Sequence, residues 1–224
     1  MTRTKLSERI LPNYSKGEEL INSVTHALGI VMGVVALILC VLIASNNENT
    51  LGIVSGVVFG TSMILLYTCS TIYHALSPQL MAKKVFQVID HCAIFVLIAG
   101  TYTPFSLCTL MQYDKATGWD IFLFIWAAAI LGIVLNAIDL KKYQLFSMIC
   151  YLSMGWCIVF KADLLPKLLG DTGLILLVLG GVIYTIGAIL YGLGKHRKYM
   201  HSVFHVCVVI GSLLHFLCIV MYVM

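Results

Sequence analysis

Charge is what this chain has least of. Only 11% of its 224 residues are Asp, Glu, Lys or Arg, while 60% are hydrophobic; ordinary soluble domains carry about a quarter charged residues. With a mean hydropathy of +0.98, that shortage excludes a soluble globular protein. No polar stretch is long enough to form a soluble domain beside the apolar runs, so the chain reads as a single membrane domain over residues 1–224. A small-residue cleavage pattern is also missing. The apolar run behind the polar, basic residues 1–19 is too long for a secretory signal, and the expectation is that nothing is removed. Internal repeats and low-complexity segments are absent too. None of the eight cysteines (Cys40, Cys69, Cys92, Cys108, Cys150, Cys157, Cys207, Cys218) forms a C-x-x-C pair, and all lie in apolar runs. This argues against a thiolate metal cluster or a disulfide framework and for small buried apolar side chains. The formal charge of +4 does not make nucleic acid a partner, because basic residues in a membrane chain report orientation.

What the sequence does contain is a succession of apolar runs of about 20 residues, each enough to cross about 30 Å of hydrocarbon. They fall near 20–44, 51–76, 86–111, 119–138, 143–160, 172–193 and 201–223, separated by SNNENT, SPQLMAKK, QYDKATG, DLKKYQ, KADLLPKLLGD and GLGKHRKYM. The prediction is an all-α integral membrane protein, a seven-transmembrane-helix bundle. Seven crossings put Arg3, Lys5, Arg9, Lys16, Lys83, Lys84, Lys141, Lys142, Lys195, Arg197 and Lys198 on one side, and only Lys115, Lys161 and Lys167 on the other. That asymmetry predicts a cytoplasmic N-terminus and an external C-terminus. Gly29 and Gly33, then Gly52, Gly56 and Gly60, form G-x-x-x-G seams that let helix backbones approach closely. Packing within the bundle is the first use expected of them, and dimerisation the rival.

Polar residues gather at the cytoplasmic edge. His74 ends the second predicted helix, Asp90 lies near the start of the third, and His201 and His205 open the seventh. His201 and His205 are four apart, about 40° around a helix, the spacing that lets two imidazoles grip one metal; Ser70 and His74 share it. His74 also lies about 40° from the glycine seam and should point into the bundle, and Asp90 shares a face with Thr101 and Pro104. An ionised carboxylate facing lipid at mid-membrane costs about 3 kcal/mol or more, so such groups face the interior with a partner. Three neutral imidazoles make a Zn²⁺ shell with an open fourth position, the pattern of catalytic zinc. Asp90 could orient or deprotonate a water there, and Ser70 could hydrogen-bond that water or a substrate oxygen. The same groups could instead bridge helices, since H-x-x-x-H alone is a weak motif.

The stretches ELINSVTHALG (19–29), STIYHAL (70–76), IDHCAIFVLIAGTYTPF (89–105) and HSVFHVCVVIGSLLHF (201–216) resemble the hallmark segments of the hemolysin III family, the bacterial branch of the progestin and adipoQ receptor family. The resemblance covers the first, second, third and seventh predicted helices. It implies a seven-helix bundle with the N-terminus inside and an intramembrane zinc site near the cytoplasmic face. Carried over by position, His74, His201 and His205 would be the ligands, with Asp90 reaching the metal through water and Ser70 beside it. Phe204 stands where many bacterial relatives have tryptophan, an exchange not expected to disturb the ligands.

Among the other polar groups, His215 lies about 15 Å of helix rise beyond His205. It is therefore outside the metal shell, either bridging to a neighbouring helix or lining a cavity. His26 reads as a neighbour of the site rather than a ligand, His91 as turned about 100° from Asp90, and His196 as solvated in a basic loop. Glu18 and Glu19 read as preceding the first helix, at its dipole's positive end. The basic N-terminal segment and GKHRKYM set orientation, with anionic lipid headgroups as a second use. The functional expectation is a zinc-dependent hydrolase of lipid amides or esters, drawing on the open ligand position and on the resemblance of the wider group to membrane ceramidases with a similar Ser, Asp and three-His set. The alternatives are a non-enzymatic membrane-homeostasis regulator or receptor-like protein with structural zinc, and a cytolysin. Membrane lipids are the expected partners. No substrate pocket is identifiable from the sequence.

Overall fold

The computed structural model describes residues 4–194 and 197–224; the expectation for His196 lies outside them. Among the described residues every regular element is helical, and six helices are long and apolar enough to cross a membrane. They are α1 (Lys16–Asn46), α2 (Thr50–Ala75), α3 (Met81–Pro104, continued by a π-helical stretch and a last short turn to Tyr113), α4 (Lys115–Trp156), α5 (Leu165–Leu193) and α6 (Met200–Tyr222). Their lipid-facing sides are apolar, as Leu28, Val31, Ile38 and Leu42 along α1 illustrate.

Helix α1 starts earlier than expected because Ser15 and Glu18 form a capping box. Glu18 N donates to Ser15 Oγ at 3.3 Å, and Ser15 N donates to Glu18 Oε2 at 2.8 Å. Glu18 and Glu19 thus belong to the first turn rather than preceding the helix. The glycine seams pack α1 against α2 inside one chain: a Cβ on Gly29 would sit 2.5 Å from the Tyr67 ring, and one on Gly60 would sit 2.5 Å from the Leu37 Cβ. Neither position tolerates a side chain without separating the helices.

Helix α3, the most buried span, runs through the middle of the bundle. Helix α4 extends over 42 residues, but its backbone leaves helical geometry at Asp139 (φ −158, ψ 94). The two arms fold back on each other there. Ser147 Oγ donates to Asn136 Oδ1 at 2.6 Å, although a straight helix would hold residues eleven apart separated by about 16 Å. Asp139 caps the second arm by accepting from Lys142 N at 3.2 Å, and its other oxygen accepts from Thr4 N at 2.8 Å. The break falls within the predicted DLKKYQ connection, one residue after the first predicted run ends. A break also occurs early in α5 at Gly170, whose φ of +66° only glycine adopts readily.

The histidine end of the bundle is closed by residues 4–15. Lys84 Nζ donates to Ser7 O at 2.6 Å, Tyr14 stacks on His201, and Tyr199 N, just before α6, donates to Glu18 Oε1 at 2.7 Å.

Candidate metal centre and cavity

His74 stands one residue before the end of α2, and His201 and His205 occupy the first two turns of α6. The two helix ends meet, so that one ligand atom from each residue lies within 4.8 Å of the others, and the three could hold a metal ion. His201 Nε2 is 3.4 Å from His74 Nε2 and 3.0 Å from His205 Nε2. Metal–nitrogen bonds of 2.0–2.1 Å in a tetrahedron place nitrogens about 3.3 Å apart, so these separations match the edges of such a shell.

The tautomer of His74 is fixed from behind. Its Nδ1 lies 2.6 Å from Glu19 Oε2, and a carboxylate only accepts, so Nδ1 carries the hydrogen and Nε2 presents its lone pair. Glu19 is held in turn by Lys83, whose ammonium donates to Glu19 Oε1 at 2.7 Å and to Leu76 O at 2.9 Å. Lys83 is only 1% exposed. It pairs with the carboxylate and also occupies a free carbonyl at the end of α2. His205, also 1% exposed, is stacked on His26 with ring centroids 3.8 Å apart, while His201 lies under Tyr14 at 4.8 Å.

Sequence reasoning missed the roles of Glu19 and Lys83, counting one as a dipole partner and the other as a topology marker. A usable signal was present, because Glu19, Asn22 and His26 recur at i, i+3 and i+7, a polar stripe on one face of an otherwise apolar helix, continuous with the Gly29–Gly33 seam.

Asp90 stands beside the triad rather than within it, 8% exposed, with Ser70, His74 and His91 around it. Ser70 Oγ is buried and lacks a partner of ordinary geometry. His91 donates to or accepts nothing from the triad; its Nδ1 contacts Gln87 O at 2.8 Å. It nevertheless faces the same cavity as Asp90, so the expectation that the two side chains serve different neighbours holds only for its hydrogen bond.

That cavity is the feature the sequence did not reveal. It has a volume of about 160 Å³, begins at Ser70, Asp90 and His201, and runs past Val208 to Thr101, Trp156 and His215. It exists because α5 packs along α6 and scarcely approaches α4. Side-chain bridges cross the gap, among them Gln144 Nε2 to Tyr191 OH at 3.2 Å and Trp156 Nε1 to Thr185 Oγ1 at 2.9 Å. Between them the lining is predominantly apolar.

The family described as Haemolysin-III related matches residues 14–216. The chain belongs to the haemolysin III family. It is 37% identical to Hemolysin-3 of Bacillus cereus over 207 residues, covering 92% of both chains. It is 38% identical to the Hemolysin-3 homolog of Bacillus subtilis over 206 residues, covering 92% of this chain and 94% of that one. A more distant relative is the human Monocyte to macrophage differentiation factor, 25% identical over 208 residues, with 89% of this chain and 82% of that protein covered. Like the apolar helices, membership in this family makes the chain a multi-pass membrane protein.

Proposed function

We propose that the chain is a seven-crossing protein of the plasma membrane, N-terminus in the cytoplasm and C-terminus outside, that holds zinc between His74, His201 and His205 and hydrolyses lipid amides or esters. The break at Asp139, with the Asn136–Ser147 contact across it, supports counting α4 as two crossings. The eleven-to-three division of basic residues supports the orientation. Three imidazoles with their Nε2 atoms converging suit zinc. One observation carries the hydrolase reading. His201 and His205 line one end of an apolar cavity whose wall includes Asp90 and Ser70, with His74 beside them, so an acyl chain lying in the cavity would bring its amide or ester linkage to the cluster.

When bound, zinc supplies Lewis-acid polarisation of a carbonyl oxygen and lowers the pKa of water towards about 7. The chain contributes the rest. Glu19 holds His74 in the ligating tautomer, Asp90 takes and returns a proton on the cavity side, and the Ser70 hydroxyl donates to the substrate oxygen. Tyr14, stacked over His201, limits water at the open end. In the purified protein, Asp90→Asn is expected to retain zinc while turnover of lipid amides or esters drops by about 10²–10⁴, the usual contribution of a general base. Equal turnover by metal-stripped protein would exclude the mechanism.

A second reading is supported by the network behind the triad. His74 and the two α6 histidines join α2 to α6, while Glu19 and Lys83 bring α1 and α3 to the same point. An ion there would fasten four helices in a regulator or receptor-like protein without turnover. In that case chelation lowers the unfolding temperature and no lipid is consumed at any metal loading. The name Hemolysin-3 raises cytolysis as a third reading, which the apolar lining of the cavity disfavours because a conduit for ions and water is polar.

A further inference from the structure

We propose that the cavity has a second recognition point, His215, which accepts a hydrogen bond from a hydroxyl partway along an acyl chain. His215 Nε2 lies 3.1 Å from Leu177 O. A carbonyl only accepts, so Nε2 carries the single hydrogen of the neutral ring and Nδ1 is left as a bare lone pair. That atom is buried and has no partner, and the residue lines the cavity. The ring is fixed in place. It packs against Gly180, where a Cβ would fall 2.3 Å from His215 Cδ2 and 2.4 Å from Nε2, and Tyr184 lies 5.4 Å away on the same helix. His215 therefore both bridges to α5 and faces the cavity, combining the two uses that the sequence left as alternatives.

Nearby polar groups sharpen the preference. Thr101 donates its hydroxyl hydrogen to Leu97 O, Thr185 to Gly181 O and Tyr102 to Gly155 O, while the Trp156 N–H is engaged by Thr185. These four groups have spent their hydrogens, and the three hydroxyls keep lone pairs, so with the bare Nδ1 of His215 they favour a donor. A cationic donor is disfavoured because the cavity's carboxylate, Asp90, lies at the opposite end. A neutral hydroxyl on an otherwise apolar chain fits. Ten residues of helix separate His205 from His215, about 15 Å, which sets the distance from the polar end of the ligand to its hydroxyl.

The inference rests on the reading that lipid occupies the cavity, but not on hydrolysis. Oleic acid and ricinoleic acid, a matched pair differing by one mid-chain hydroxyl, test it by calorimetric titration of the purified full-length protein. Ricinoleic acid is expected to bind about tenfold more tightly. His215→Phe should bring that ratio to one while leaving oleic acid binding unchanged, and His215→Gln, which keeps a donor for Leu177 and an acceptor for the ligand, should retain a preference. Equal binding by the unsubstituted protein overturns the inference even if His215→Phe does not fold, and so does a preference that survives in a folded His215→Phe protein. Binding of neither acid removes it too, by removing the lipid-bound cavity on which it depends.

Discussion

Replacing Glu19 by glutamine separates two consequences of one buried network. The ammonium of Lys83, 1% exposed, would keep its bond to Leu76 O but lose the ion-pair partner it has among the described residues. Leaving one charge of a buried pair uncompensated costs about 3–5 kcal/mol. Glu19 itself is partly exposed, with a side-chain accessibility of 17%, so the lower part of that range applies. The same substitution exchanges the carboxylate behind His74 for a neutral amide, and loss of such a partner weakens metal binding about 10–100-fold. Adding Lys83→Met removes the stranded charge. The double variant should therefore regain most of the lost stability, because a buried pair replaced on both sides is often near neutral, yet still bind metal as weakly as Glu19→Gln alone. Thermal unfolding of the metal-free protein in detergent reads the first quantity, and zinc competition titration reads the second. The reasoning fails if Glu19→Gln binds zinc as tightly as the unsubstituted protein, or if the double variant recovers both properties together.

His201→Ala removes the nitrogen that lies between the other two ligands; metal analysis of the purified variant should find the site empty, and full zinc occupancy would reject the ligand assignment. Gly60→Val forces a branched side chain into a position where even a Cβ would lie 2.5 Å from Leu37. Overpacking of this kind costs about 1–3 kcal/mol or more, so a lowered unfolding temperature is expected, whereas an unchanged one would mean that α1 and α2 do not meet along that seam.

Much of this architecture could be read in the sequence because span length and hydropathy are local properties. The runs at 51–76, 172–193 and 201–223 fall within a residue or two of α2, the main part of α5 and α6. The histidine cluster was legible for a different reason. Four-residue spacing fixes the face, and topology brings His74 to the depth of His201 and His205. The start of α1 was misplaced because Lys16 and Gly17 are not apolar, and a hydropathy criterion does not register a capping box. Helix α3 begins at Met81 rather than near Phe86 because Lys83 is buried by pairing, although its composition reads as a solvated connection. The cavity had no local signature at all, since it depends on how far α5 stands from α4 and not on the character of either helix. Glu19 and Lys83 lie 64 residues apart, and only their meeting gives either one a role behind the metal ligands.

The arrangement of the triad also sets the order of events during biogenesis. His74 is synthesised 127 residues before His201, and two of the three imidazoles belong to α6, which follows the other five spanning helices along the chain. The pocket they form is roofed by residues 4–15, which precede all three in the chain, and its rim is joined by the contact between Glu18 and Tyr199, 181 positions apart. A polypeptide that stalls or is cleaved before Met200 therefore carries a single ligand and no chelate. An ion held by all three imidazoles therefore requires that α2 and the start of α6 have both been inserted and brought together.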